Sequence, residues 1–303
     1  MMIRRRPYSG AADLERLQSF NAAAIAATDH CGYLHPGDIP HHLFNGNGRY
    51  DPAEITTIWE DEAGVAAWLL VSPGHKGFDA QVRPDLRGGD LEREVLRLAA
   101  ERTAELMRRH GIVGEFMIAD AFRDDTARVE LLLELGWELA DERPYILNRR
   151  AIGVIAAPAL PAGFSFRAAR GVEDAAALAG IHNASFGSSW TPATYRRVME
   201  SPGYAAQREL VVVAPEGTLA AFTIIWLDEL NQTGSFEPVG THQDYRRRGL
   251  GRALLFYGLR QMGAAGMRWA TVATFGWNEA ALALYQACGF RPWYVQDSYR
   301  KRI

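Results

Sequence analysis

In residues 164–303, apolar positions switch repeatedly between a period of two and a period of three to four. Residues 164–168 alternate apolar and polar, as a strand with one buried face does. Residues 174–186 carry helical spacing, and Thr191-Pro192 supplies an N-cap followed by a proline in the first turn of a second helix. Residues 209–214 and 219–227 are β-rich runs on either side of the turn Pro215-Glu216-Gly217, and 235–241 is a further strand. Residues 248–265 place Leu250, Leu254, Leu255, Leu259 and Met262 on one helical face and stop at Gly266. A strand at 269–273, a helix at 279–288 closed by Gly289 and a last strand toward Ile303 complete the run. The succession predicts an α/β fold: a mixed (α+β) sheet with helices on its faces.

The first half follows the same plan. FMIADAFRDDTARVELLLELGW, at 116–137, aligns without a gap on WATVATFGWNEAALALYQACGF, at 269–290. Upstream, VRPDLRGGDLE (82–92) stands where THQDYRRRGLG (241–251) stands in the second half. A repeat of roughly 150 residues means two tandem copies of one domain, not a solenoid. Between them lies RRAIGVIAAPALPAG, rich in Ala, Pro and Gly and without amphipathic period, whose Ile and Val residues would pack on a domain. The boundaries are therefore 1–150 for the first domain, 151–163 for the linker and 164–303 for the second.

Composition narrows the function classes. A chain of 303 residues exceeds what one core usually serves. A net charge of −3 gives no nucleic-acid or membrane surface, so any basic site must be local. The two cysteines, Cys31 and Cys288, are far apart, which argues against a disulfide framework and for a reducing, cytoplasmic setting. The start MMIRRRPYSG has no apolar run after its arginines, and no stretch approaches the ~20 apolar residues of a membrane helix.

The local basic site is EPVGTHQDYRRRGLGR, residues 237–252. A strand enters a glycine-containing turn that opens a long helix. Gly249 and Gly251 let backbone amides approach a ligand, and the helix start adds unpaired N–H donors and the positive end of a dipole. Arg246, Arg247, Arg248 and Arg252 concentrate positive charge there, and with the amides they make a pyrophosphate cradle. A Walker loop lacks its Gly-Lys-Ser/Thr, and the dinucleotide fingerprint lacks its third glycine, where Leu254 stands.

RRRGLGRALL looks like the acetyl-CoA loop of the GNAT N-acetyltransferase superfamily, Gln/Arg-x-x-Gly-x-Gly/Ala, which falls here on Arg246, Gly249 and Gly251. Downstream, NEAALALYQACGF resembles that family's next motif through Asn278, Tyr285, Gly289 and Phe290. The resemblance covers residues 164–303 and extends weakly to the first half, giving the look of tandem-GNAT proteins, a group that includes mycothiol synthase. It implies two GNAT-like domains and acetyl-CoA as acyl donor. Backbone groups of Val239 and Thr241 would pair with the pantetheine arm. The amides from Arg247 through Arg248, Gly249, Leu250 and Gly251 to Arg252 would hold the pyrophosphate. Asn278 would touch the pantetheine region, and Tyr285 would be general acid for the departing thiolate.

The amine must attack unprotonated. Glu237 is the candidate base, since an extended strand puts it on one face with Val239 and Thr241, and Pro238 beside it would mark a bulge. His182 and His242 are weaker candidates, read as surface or capping histidines. In the first half Asp90 stands opposite Gly249, Glu92 opposite Gly251 and Leu132 opposite Tyr285, so that copy reads as degenerate: two carboxylates would repel a pyrophosphate. DHCGYLHPGDIPHH, with His30, Cys31, His35, His41 and His42, matches no zinc spacing and reads as a loop without metal. Trp190, Trp226 and Trp277 serve either as core or as pocket lining.

The sequence thus predicts an N-acetyltransferase moving an acetyl group from acetyl-CoA to a primary amine of a small molecule by direct attack. The alternatives are a non-catalytic acyl-CoA sensing module and, among enzymes, a mycothiol-synthase-like acetyltransferase.

Overall fold

The computed structural model describes residues 3–29, 32–44, 49–141 and 144–303. The chain divides into two compact units, residues 1–146 with 294–303, and residues 147–293.

The elements in chain order are β1 (Arg4–Pro7), α1 (Ala11–Thr28), α2 (Asp38–Phe44), α3 (Pro52–Ile55), β2 (Thr56–Asp61), β3 (Gly64–Ser72), β4 (Gly77–Val82), α4 (Asp90–Arg109), β5 (Phe116–Phe122), α5 (Thr126–Glu134) and β6 (Glu138–Leu139). They continue with β7 (Tyr145–Ala151), β8 (Ser165–Ala168), α6 (Ala175–Phe186), α7 (Pro192–Met199), β9 (Glu209–Val213), β10 (Leu219–Asp228), β11 (Thr233–Thr241), α8 (Leu250–Ala264), β12 (Trp269–Phe275), α9 (Glu279–Ala287) and β13 (Arg291–Arg302). The mixed sheet with helices on its faces is the one the apolar periods predict.

Each unit has the same strand order. In the first it is β1-β2-β3-β4-β5 followed by the 294–302 part of β13; in the second it is β8-β9-β10-β11-β12 followed by β7. β4 with β5 and β11 with β12 are parallel, whereas β1-β2-β3-β4, β5-β13 and β8-β9-β10-β11 pair antiparallel. The strand that closes each sheet therefore comes from the other half of the sequence.

Local chemistry explains the helices that position the site. Thr191 caps α7 in a box with Thr194, and Pro192 follows in the first turn. α8 buries Leu250, Leu254, Leu255, Leu259 and Met262 against β9, β10 and β11, each side chain contributing about 2 kcal/mol. Gly258 lies in that face because a Cβ there would stand 2.4 Å from the Phe236 ring; the helix sits on the strand at a distance only glycine permits. Ile152, Ile155 and Leu160, from the segment rich in Ala and Pro, pack on this same core. The first unit's core gathers Leu14, Leu17, Trp59, Trp68, Leu69, Val95, Leu96 and Leu106.

Candidate functional site

The site is built where two parallel strands come apart. β11 and β12 pair only at Thr233↔Trp269, Gly234↔Ala270 and Ser235↔Thr271. Beyond Ser235, β11 continues to Thr241 without that partner, which leaves a gap that an extended ligand can enter as an added strand. A bulge starts the divergence. Ile225 faces Phe236 and Thr223 faces Val239, so Glu237 and Pro238 together stand opposite Ile224. The indole N–H of buried Trp226 donates to the Glu237 carbonyl at 2.9 Å and holds the bulge in place. Along this stretch half-buried Glu237, Val239 and Thr241 alternate with buried Pro238 and Gly240.

At the end of β11 the His242 ring nitrogen accepts the Asp244 N–H at 3.3 Å and caps a 3₁₀ turn at Gln243–Tyr245. Then come two left-handed residues, Arg247 at φ 64 and Gly249 at φ 77, before α8 begins at Leu250. A side chain at positive φ costs about 1 kcal/mol or more, so Arg247 holds a conformation its own backbone disfavours. That path turns successive amides to one side, and the first N–H groups of α8, from Leu250 to Arg252, have no carbonyl one turn earlier. Leu250 anchors the helix start, being buried, while Arg247, Arg248, Gly249 and Arg252 are exposed.

The arginines divide into two kinds. Arg246 is a brace: its guanidinium donates to the Ser185 carbonyl at 2.7 Å and to the Thr241 carbonyl at 3.4 Å, tying the loop to the end of α6. Arg248 reaches back to the Asp244 carbonyl at 3.4 Å and lies over the Tyr245 ring, and Arg252 lies over the Phe256 ring. Their cationic field stays at the loop, beside the amides.

Tyr285, on α9, is 5 % exposed and packs edge-on against Phe290. Burial first, then the negative charge of Glu237, push its phenol well above its usual value. Asn278 caps α9 through its side-chain oxygen, which accepts the Ala281 N–H at 3.2 Å. Cys288 is a buried thiol, pushed up to about 11 by burial, and unsuited to nucleophilic work.

One residue differs from the sequence reading. His182 is not on the surface: it lies in the core against Phe186, Trp190 and Phe222, bonded to Ser188, and burial pushes it down to about 4. Asp90, the residue opposite Gly249, is exposed at the first position of α4. Trp190 and Trp226 are buried, whereas Trp277 is exposed and stacked on Phe275.

Sequence reasoning also missed a buried polar cluster. Glu209, at the start of β9 and fully buried, accepts the Tyr195 and Tyr204 hydroxyls at 2.5 Å each. The Tyr204 ring then meets Trp226 edge-on, one step from the bulge. Nothing along the sequence separates this glutamate from a solvent-facing strand residue; only the two tyrosine hydroxyls that the fold brings onto it do.

Among the described residues no group of three or more His, Cys, Asp and Glu gathers to hold a metal ion, and no helix is long and apolar enough to cross a membrane. His30 and Cys31 of the histidine-containing stretch lie outside the described residues. His35 accepts the Gly37 N–H, and His42 pairs with Asp79 at 3.0 Å.

Comparison with known proteins places this geometry. Residues 175–290 match the model of the acetyltransferase (GNAT) family. A mycothiol acetyltransferase of Beutenbergia cavernae is 27% identical over 271 residues, 88% of this chain and 85% of that protein. One from Nocardiopsis dassonvillei is 35% identical over 98 residues, only 29% of either chain. Among solved structures, a tandem GNAT protein from the clavulanic acid biosynthesis pathway superposes with a TM-score of 0.65 at 16% identity, over 99% of this chain and 98% of that one. That likeness covers both units.

Proposed function

We propose that the second unit, whose residues 175–290 match the acetyltransferase (GNAT) family model, moves an acetyl group from acetyl-CoA to a primary amine by direct attack. The observation that carries the reading is the gap between β11 and β12 ending on the left-handed, arginine-flanked loop at the start of α8. Its shape fits the coenzyme: an edge of free backbone for the amide-bearing arm, then an amide nest for the pyrophosphate. Val239 and Thr241 would receive the arm. The backbone of Arg247, Arg248, Gly249, Leu250, Gly251 and Arg252 would hold the phosphates, and Asn278, the cap of α9, would touch the pantetheine region. Arg246 contributes as the brace of that loop.

Acetyl-CoA supplies the activated thioester; the chain supplies placement and protons. Glu237 draws a proton from the incoming amine, directly or through water, so that nitrogen attacks as a neutral base. Tyr285, kept protonated by its surroundings, donates to the departing thiolate. A free thiol has a pKa near 8.5, below that of this phenol, so Tyr285 acts as a hydrogen-bond donor more than as a full proton source.

Mycothiol-type amines, in which the acceptor is a sugar-linked cysteine, are the first acceptors to test, because the relative aligned over most of the chain carries that name. The test is thiol release from acetyl-CoA across an amine panel, with Tyr285→Phe as control. Turnover lost in the variant supports the reading. Saturable acetyl-CoA binding with no turnover on any amine would leave a sensing module, and no binding would sink both.

A further inference from the structure

The first unit contains the same slot, and its contents come from the chain itself. β4 and β5 pair at Gly77↔Ile118 and Phe78↔Ala119 and then separate, as β11 and β12 do. The loop after β4 follows the loop after β11 as far as Gly88. Arg83 (φ −54, ψ 139) matches His242 (φ −51, ψ 135), Arg87 (φ −68, ψ 145) matches Arg246 (φ −60, ψ 157), and Gly88 at φ 73 matches Arg247 at φ 64. Up to Gly88 the backbone therefore runs as it does up to Arg247; beyond it Asp90 already belongs to α4, where its counterpart Gly249 is left-handed.

Glu92, in the first turn of α4, is fully buried. One of its oxygens accepts the Gly88 N–H at 2.7 Å; the other takes Arg128 Nε at 2.8 Å. The Arg128 guanidinium also donates to the Ala80 carbonyl of β4 at 2.7 Å. By the loop correspondence Gly88 stands for Arg247 and Ala80 for Val239, two of the backbone positions at which the coenzyme is proposed to meet the second unit. Arg87 and Asp125 pair beside them, and Asp125 lies 3.8 Å from Arg128. Within the cavity that Ala80, Asp125 and Arg128 line, about 20 Å³ remains, room for one water molecule.

We infer that Glu92 and Arg128 are a tethered surrogate ligand: the carboxylate occupies the phosphate position and the guanidinium the position of the arm's amide. The first unit is thereby closed to acetyl-CoA while its slot keeps the geometry of a filled one. This rests on the proposed coenzyme site of the second unit for its correspondence, and it changes the reason for the first unit's silence. The carboxylate does not repel a ligand at a distance, since Arg128 and the Gly88 amide neutralise it in place. Only Glu92 matters; Asp90, exposed, does not.

Calorimetric titration of the full chain with acetyl-CoA and with inorganic pyrophosphate tests this, alongside thermal unfolding of Glu92→Gly, Glu92→Gln and Asp90→Gly. The wild type is expected to take one acetyl-CoA. Glu92→Gly, which leaves Arg128 facing an empty nest, should melt lower, gain a second pyrophosphate site absent from the wild type, and recover part of its melting temperature at millimolar pyrophosphate. Glu92→Gln keeps an acceptor on the Gly88 N–H and should gain no such site; Asp90→Gly should behave as wild type. Two acetyl-CoA per wild-type chain would overturn the inference whatever the variants do, as would a folded Glu92→Gly chain that gains no pyrophosphate site. If the wild type takes no acetyl-CoA, the reading of the second unit fails, while the pyrophosphate response of Glu92→Gly still decides this one.

Discussion

Single side chains set the chemistry here through their surroundings, and Tyr285 is the plainest case. Its phenol stays protonated at any pH the protein meets, so replacing it with phenylalanine removes a hydrogen bond to a developing thiolate and little else. Bonds of that kind are worth about 1.5–3 kcal/mol, so kcat should fall by about 10–100-fold with the acetyl-CoA KM nearly unchanged. Steady-state kinetics of Tyr285→Phe check this; a KM change equal to the kcat loss would mean the ring only shapes the slot. Glu209 gives a second prediction. Burial pushes it up to about 7 from 4.5, against the lowering effect of Tyr195 and Tyr204. Between those pH values the folded chain keeps a proton that the unfolded chain has lost, so stability falls as pH rises through the window and is level above it. The amount is on the order of 3 kcal/mol. Buried His182, pushed down from 6.5 to about 4, works the other way over nearly the same range and masks the fall. Subtracting wild-type from Glu209→Gln unfolding free energies isolates it: the variant's advantage should grow from pH 4.5 to 7 and then stay constant. A difference independent of pH would show that Glu209 is ionised throughout.

At the scale of elements, the strand–loop–helix from Thr233 to Ala264 does the positioning, and its backbone matters more than its charges. Arg247 is the test, because its left-handed conformation is required by the nest while its guanidinium is exposed. Glycine takes φ 64 without strain, and a β-branched residue does not. Arg247→Gly should therefore keep the acetyl-CoA Kd within about threefold, whereas Arg247→Val should weaken it by more than about tenfold. Equal losses in both variants would make the side-chain charge the binding feature. The loop itself was legible in the sequence because Gly249, Gly251 and the arginines are consecutive and their roles local. The bulge was legible for the same reason, through Pro238. Glu92 and Arg128 were only half legible: the sequence marks a carboxylate where glycine should be, but its neutralising partner sits on another helix and no local pattern announces it. Glu209 was not legible at all, since a buried glutamate differs from an exposed one only by what folds over it. His182 was misjudged for that reason too.

Over the whole molecule, the sequence repeat and the folded units do not share boundaries. RPWYVQDSYRKR reads as a strand, but a strand's sequence does not name its neighbour, so the sheet it joins could not be read. It joins the first unit: Gln296↔Phe122 through Arg302↔Phe116 pair it antiparallel along the whole of β5, with Tyr294 set edge-on against Phe122 and Arg123 paired with Asp297. β7, near the end of the first half, is the strand next to β12 in the second. Deleting residues 294–303 should therefore damage the half of the sequence from which they are most distant. β5 would lose its antiparallel partner and expose a row of unpaired backbone groups beside the buried residues Met117, Ala119 and Ala121. The proposed coenzyme site, at 233–252 and 278–285, lies wholly in the second unit and loses nothing by the cut. Amide hydrogen exchange on the truncated chain separates the two outcomes: protection at 116–122 should collapse while that at 233–241 persists and acetyl-CoA still binds. Equal loss at both segments would mean that the two units unfold as one, and unchanged protection at 116–122 would mean that β13 adds nothing to the first sheet.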